Sequence, residues 1–158
     1  VDYLVWKTDA MNCDPGRITV ELLETTGFVL TEGDATLRNL CRLRTAGFPI
    51  YLDDFGMGYA GLAHLASLDV QGLKIDKKVT SALETDTAAR SIFEAIVDLA
   101  DKLGLTVIAE GVETEAQKRL SVEAGCTLLQ GFGVARPMPL EQALRYARRQ
   151  SPYSKAAS

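Results

Sequence analysis

Apolar residues follow two patterns that alternate along this chain. Short runs rich in β-branched residues, typical of buried strands, are separated by stretches with helical periodicity. The predicted strands are Ile18–Glu24, Pro49–Phe55, Gly72–Asp76, Thr106–Val112 and Thr127–Gly131. The predicted helices are Val1–Met11, Asp34–Ala46, Gly61–Leu68, Thr87–Leu103, Glu115–Ala124 and Leu140–Arg149. This succession of β-then-α units predicts parallel strands and an α/β fold.

The chain length bounds the architecture. A chain of 158 residues is long enough to bury a core and fits one domain. We predict that domain over residues 1–150, followed by a small, polar, flexible tail at 151–158. An eight-stranded β/α barrel needs about 250 residues. We therefore expect the later part of a TIM-like (β/α)8 barrel, with about five of its eight strands present here.

Helical periodicity is clear in the segment Thr87–Leu103. Four apolar residues lie on one face of it at helical spacing: Ile92, Ile96, Leu99 and Leu103. Three aromatic residues are expected in the core: Trp6, Phe28 and Phe48.

Composition and charge exclude several classes of function. The net charge is −4, from 17 basic and 21 acidic residues, so no basic surface indicates binding to a nucleic-acid polymer. Three cysteines without a Cys-x-x-Cys pair disfavour a disulfide framework or structural zinc, and they favour a reducing, cytoplasmic compartment. No apolar run approaches a membrane span and no signal peptide opens the chain, so we expect no membrane contact from this segment.

Each predicted strand carries polar groups near its carboxyl end. In parallel barrels, active-site groups gather at that end of the strands, so these side chains are expected to meet. They are Glu21 and Glu24, Asp53 and Asp54, Lys74 and Asp76, Glu110 and Glu113, and Gln130. Solvated strand ends are the alternative interpretation, because charged residues are common there. Five strands in succession favour an acidic site.

The residue types suggest what such a site binds. Carboxylates without histidine or cysteine partners favour Mg²⁺ or Mn²⁺, and the single His64 disfavours a histidine-based site. Adjacent Asp53 and Asp54 can hold two ions, an arrangement suited to attack of water on a phosphodiester. Lys74 among these anions is expected to stay protonated, with Asp76 fixing it in place. Gly56 and Gly58 allow close backbone approach in the loop that follows.

Five blocks of sequence make the chain resemble a known family over nearly its whole length. The matching blocks are VELLE at 20–24, LDDFGMGYAGL at 52–62, LKID at 73–76, VIAEGVET at 107–114 and GCTLLQGFGVARPMP at 125–139. In sequence and order they resemble the EAL family of cyclic di-GMP phosphodiesterases. The resemblance implies hydrolysis of cyclic di-GMP to linear pGpG at a site with two Mg²⁺ or Mn²⁺ ions.

The resemblance also implies roles for individual side chains. The implied metal ligands are Glu21, Asp53, Asp54 and Glu110, with Asp53 bridging the two ions. The implied catalytic residues are Lys74, Glu110 and Gln130, of which Lys74 and Gln130 position the water. Glu24 and Glu113 are expected to hold the loop Asp54–Leu62, through which a homodimer is expected to form. Arg136 is expected near the substrate.

This sequence departs from the family pattern in two ways. The variable places of the loop hold Met57, Ala60 and Gly61, and neither the Glu-Ala-Leu motif nor the Asn ligand of the next strand is present. We therefore expect the intact parent to be an enzyme and the isolated chain to be inactive. A non-catalytic cyclic di-GMP receptor or protein-interaction module on a degenerate scaffold is the alternative function. An unrelated metal-assisted barrel enzyme is the third.

Overall fold

The predicted strands form one parallel sheet. The computed structural model describes residues 1–23, 35–56, 65 and 68–150. Its strands are β1 (Val20–Leu23), β2 (Ile50–Phe55), β3 (Gly72–Ile75), β4 (Thr106–Ala109) and β5 (Leu128–Leu129), and they lie in that order in the sheet. Every neighbouring pair is parallel, so all carboxyl ends lie at one edge. The predicted α/β topology is therefore present.

Helices occupy most of the predicted connections. They are α1 (Asp2–Ala10), α2 (Ala35–Thr45), α3 (Lys77–Ser81), α4 (Thr87–Lys102), α5 (Glu115–Glu123) and α6 (Leu140–Gln150), and a 3₁₀ turn spans Pro15–Arg17. The sequence pattern did not predict the short helix α3. The predicted helix Gly61–Leu68 lies outside the described residues except for Leu65 and Leu68, and so does the tail at 151–158. No helix in the described ranges is long and apolar enough to cross a membrane.

The last two strands are shorter than predicted. The strand β4 ends at Ala109, because Gly111 adopts a φ of 66° and turns the chain away. A Cβ at Gly111 would lie 2.4 Å from Cβ of Lys77, so only glycine fits between this turn and the start of α3.

The core lies between the sheet and the helices packed against it. Its fully buried large side chains include Phe48, Ile50, Leu73, Ile75 and Phe93. The predicted burial of Phe48 is confirmed, and Phe28 lies outside the described residues.

The buried face of α4 only partly coincides with the apolar face seen in the sequence. The helix buries Phe93, Ile96, Val97 and Ala100, and Leu99 packs against the core, whereas Ile92 is 51% and Leu103 41% exposed. The prediction that Trp6 lies in the core was wrong. Trp6 is 60% exposed, because its ring lies on the outer side of α1 beside Tyr3 and Lys7.

The hydroxyl of Ser121 is an unpaired polar group in this core. Ser121 on α5 is fully buried, and its Oγ has no hydrogen-bond partner within the described part of the chain. We expect Ser121→Ala to raise the free energy of unfolding by about 1 kcal/mol, since it removes the desolvation cost of that hydroxyl. Urea denaturation measures the change.

A second serine separates burial from helix propensity. Ser91 lies on the exposed side of α4 and donates to the carbonyl of Thr87. We expect Ser91→Ala to change stability by only about 0.5 kcal/mol. A loss of stability in Ser121→Ala would contradict the interpretation of its hydroxyl as unpaired.

Candidate metal-binding and catalytic site

The side chain of Lys74 lies at the centre of the acidic edge. Lys74 is on β3, the middle strand, and its side chain is only 6% exposed. Its Nζ lies 2.7 Å from Oε1 of Glu110, 2.8 Å from Oε1 of Glu21 and 3.1 Å from Oδ1 of Asp53. Glu21 is on β1, Asp53 is on β2, and Glu110 directly follows β4. The expected convergence of strand-end groups therefore occurs around one ammonium.

An irregularity in β2 brings the two adjacent aspartates to one side. Leu52 pairs with Leu73 and Phe55 with Ile75, so Asp53 and Asp54 together lie opposite the single residue Lys74. This is a β-bulge, and Asp54 adopts a φ of 57° within it. Carboxylate oxygens of Asp53, Asp54 and Glu110 all lie within 4.8 Å of one another.

Such a backbone conformation carries a cost. Positive φ is uncommon outside glycine, although aspartate tolerates it better than most residues. In a regular strand, successive side chains point to opposite faces, so Asp54 would point away from Asp53. Strained backbone of this kind clusters at functional sites, which makes the bulge an indication of function in its own right.

Negative charge exceeds positive charge in this cluster. Burial alone would lower the pKa of Lys74, but its contacts with Glu110, Glu21 and Asp53 outweigh burial and raise the pKa above its ordinary value. Lys74 therefore stays protonated. The pKa of Asp54 is also raised, by burial, by a hydrogen bond with Asp76 and by the charge of Asp53.

The Oδ1 atom of Asp53 is a buried acceptor without a well-aligned hydrogen bond in the described residues. It is buried, and although Lys74 Nζ is 3.1 Å away, no donor in the described residues makes a well-aligned hydrogen bond to it. An acceptor oxygen without a hydrogen bond, beside two further carboxylates, is the donor set that a hard divalent cation takes. The residues present therefore fit a divalent metal ion.

Asp76 does not fix Lys74 in the way expected. Its Oδ1 accepts a hydrogen bond of 2.7 Å from the backbone N of Lys78 and caps α3. The sequence pattern missed this role because α3 itself was not predicted. A strand followed by Asp and a short polar stretch is the cap signal that was available.

The backbone around Gln130 places it next to the cluster at the same edge. The N of Gln130 donates to the carbonyl of Ala109 at 2.8 Å, and its carbonyl accepts from the N of Val112 at 3.0 Å. The side chain of Gln130 is exposed, as is that of Glu113, whose backbone N donates to Oε1 of Gln117.

A cleft of about 420 Å³ adjoins Gln130. Arg136 is exposed in it, with its guanidinium 4.7 Å from the ring centre of Phe132. The sequence pattern did not single out Phe132, although its place after Gln130-Gly131 was a signal.

Some predicted residues cannot be placed. Glu24, Gly58 and the part of the Asp54–Leu62 loop from residue 57 onward lie outside the described residues. Their predicted roles in holding the loop and in dimer contacts stay predictions.

Comparison with known protein families adds to this geometry. The family model described as EAL domain matches residues 2–137. Two similar relatives are from Pseudomonas aeruginosa. The bifunctional diguanylate cyclase/cyclic di-GMP phosphodiesterase MucR is 42% identical over 83% of this chain, and the cyclic di-GMP phosphodiesterase RocR is 33% identical over 84% of it. The matched regions are 19% of MucR and 33% of RocR, so the chain spans a minor part of both.

Solved structures show the same fold. The MucR phosphodiesterase in complex with c-di-GMP matches 86% of this chain and 54% of that one, with a TM-score of 0.78 and 40% identity. The manganese/c-di-GMP complex of Klebsiella pneumoniae BlrP1 matches 86% of this chain and 34% of that one, with a TM-score of 0.79 and 31% identity. The predicted fold class, an α/β barrel of the EAL type with five strands in this chain, is confirmed.

Removal of the central ammonium tests the electrostatics of the site. We expect Lys74→Met to lower the free energy of unfolding at pH 7 by about 3 kcal/mol, because Glu21, Asp53 and Glu110 lose their shared counter-charge. Excess Mn²⁺ should restore part of that loss, since a cation can replace the ammonium. Denaturant titration with and without Mn²⁺ measures both effects.

The exposed ion pair on α4 provides the control. Lys102 pairs with Asp98, and both side chains are more than 60% exposed. We expect Lys102→Met to cost about 0.5 kcal/mol or less, with no recovery in Mn²⁺. An equally small loss in Lys74→Met would show that the cluster does not depend on the ammonium.

Proposed function

The chain belongs to the EAL domain family, and on that premise we propose that it provides the catalytic edge of a metal-dependent phosphodiesterase that hydrolyses cyclic di-GMP to linear pGpG. The observation that carries this proposal is the cluster of Asp53, Asp54 and Glu110 beside Lys74. The names of MucR and RocR, both cyclic di-GMP phosphodiesterases, support the substrate.

The cofactor in this proposal is a pair of Mg²⁺ or Mn²⁺ ions. Glu21, Asp53, Asp54 and Glu110 would hold them, with Asp53 shared between the two. The manganese in the BlrP1 complex supports this assignment, and so does the buried Oδ1 of Asp53, which accepts no well-aligned hydrogen bond in the described residues. When bound, such ions supply an activated water and stabilise charge on the phosphoryl and leaving oxygens.

The chain's own side chains do the remaining work. Lys74 stays protonated among the carboxylates, so its N–H groups can orient water and offset charge that develops on the phosphate. Gln130, at the same edge, offers an amide to the same water. Hydrolysis joins the water oxygen to phosphorus and breaks the bond to the 3′ oxygen, which takes up a proton.

The remaining roles concern binding and assembly. Arg136 is proposed to contact the substrate from the adjoining cleft, where its guanidinium is exposed. Glu24 and Glu113 are proposed to hold the Asp54–Leu62 loop, and that loop is proposed to form a homodimer contact. A cytoplasmic location is proposed as well, in keeping with three free cysteines.

Neutralising the shared ligand tests the metal assignment. We expect Asp53→Asn in the intact protein to abolish cyclic di-GMP hydrolysis, because a neutral amide weakens the hold on both ions at once. The loss is measured as the rate of pGpG release at saturating Mn²⁺, with the product quantified by chromatography. Glu94→Gln on the exposed side of α4 is the matched change of charge away from the site. Full turnover in Asp53→Asn would contradict the assignment of two ions to this site.

The 158-residue chain by itself is expected to show no turnover. The strands β1 and β5 form the two edges of the sheet in the described residues, and unpaired edges favour association with other chains. The family resemblance also implies a further Glu and Asn ligand that this sequence does not contain. Cleavage of cyclic di-GMP in excess Mn²⁺, with the MucR phosphodiesterase as positive control, tests this. Comparable rates would contradict it.

A further inference from the structure

The loop after β4 carries Glu110 and touches both neighbouring strands. The N of Glu110 donates to the carbonyl of Ile75 on β3 at 3.1 Å. Two residues later, the N of Val112 donates to the carbonyl of Gln130 at 3.0 Å, and the carbonyl of Val112 accepts from Gly133 at 2.8 Å. The backbone of this loop therefore sets where Glu110 lies relative to Lys74 and Gln130.

The far end of the loop is held by a buried glutamine. Gln117, the third residue of α5, is 7% exposed. Its Oε1 accepts hydrogen bonds from the backbone N of Glu113 at 2.8 Å and of Thr114 at 3.1 Å. A single side-chain oxygen thus pairs two consecutive backbone donors, and its burial leaves little access for a water molecule to replace it.

Thr114 completes the arrangement from the other side. Its Oγ1 accepts from the N of Gln117 at 3.0 Å, forming a capping box, and donates to Oε1 of Glu84 at 2.5 Å. Glu84 lies in the segment between α3 and α4. The end of the loop is therefore tied both to its own helix and to the connection that follows β3.

The chain between Glu110 and the residues held by Gln117 is tightly packed. Gly111 is packed against Lys77, and Val112 is fully buried and bonded on both its backbone groups. A shift of the chain at Glu113 and Thr114 would therefore pass back to Glu110 instead of being absorbed on the way.

We propose that Gln117 is a positioning residue for Glu110, and that its two hydrogen bonds set the affinity of the acidic cluster for a divalent cation. This inference rests on the proposed metal site and goes beyond it. The side chain of Gln117 makes no hydrogen bond to Lys74 or to any proposed metal ligand in the described residues. Groups that orient a ligand from behind typically change metal affinity by about 10- to 100-fold when mutated.

The test measures Mn²⁺ binding directly. Gln117→Met removes the acceptor at similar volume, and we expect it to raise the Kd for Mn²⁺ by about 10-fold. Gln117→Glu keeps an oxygen at the same place in the capping box, so its Kd for Mn²⁺ should stay within about threefold of the value without substitution. Paramagnetic resonance of free Mn²⁺, recorded on the intact protein well below the melting temperature of each variant, gives the Kd.

The cap of α4 provides a matched control. Oδ1 of Asp86 accepts from the N of Ala88 at 2.8 Å and of Ala89 at 3.3 Å, so it also pairs two backbone donors. Among the described residues, the hydrogen-bond partners of this cap include none of Glu21, Asp53, Asp54 and Glu110. We expect Asp86→Ala to lower the melting temperature while leaving the Mn²⁺ Kd unchanged, which separates positioning from general stability.

A milder variant covers the case in which Gln117→Met does not fold. Thr114 is exposed, and Thr114→Val removes its two side-chain hydrogen bonds without opening the core. It should raise the Mn²⁺ Kd in the same direction but less.

Each outcome decides the matter. A Kd in the Gln117 and Thr114 variants that equals the parent value, or an equal rise in Asp86→Ala, overturns the positioning role while the metal site stands. Absence of Mn²⁺ binding in the intact protein without substitutions overturns the metal site and the inference with it.

Discussion

The ion contacts of the Lys74 ammonium are the constraint on which the rest of this edge depends. Lys74 lies on the middle strand, and its three carboxylate partners come from β1, β2 and the residue after β4. Three carboxylates so close together would repel strongly without a counter-charge. One buried ammonium therefore lets the carboxyl ends of several strands approach, and it also fastens them to the centre of the sheet.

The same contacts leave the site short of positive charge. One ammonium faces three carboxylates, and burial together with the neighbouring Asp76 and Asp53 keeps the pKa of Asp54 raised. A fold selected for stability alone would have little reason to keep this imbalance or the left-handed backbone of Asp54. Both features have a physical purpose if a divalent cation completes the site, since the cation supplies the charge and binds Oδ1 of Asp53, which accepts no well-aligned hydrogen bond in the described residues.

The apolar core and the polar edge divide the work between them. Fully buried side chains such as Phe48, Ile50 and Phe93 hold the sheet and helices rigid, which keeps the strand ends in place. Backbone hydrogen bonds then link the loops that leave those strands, as between Val112 and Gln130. Precision at the acidic edge therefore depends on apolar side chains and backbone groups that take no part in the proposed chemistry.

The amino-acid sequence alone predicted the five strands, most of the helices between them, the parallel sheet and the strand ends at which acidic residues collect. These features follow from local periodicity and from the crossover connections that parallel strands require, so they can be predicted from the order of residues in the sequence. Local alternation, by contrast, puts Asp53 and Asp54 on opposite faces, and only pairing with β3 creates the bulge that unites them. The buried face of α4 and the exposure of Trp6 were likewise decided by tertiary structure, because each depends on which distant segment packs alongside.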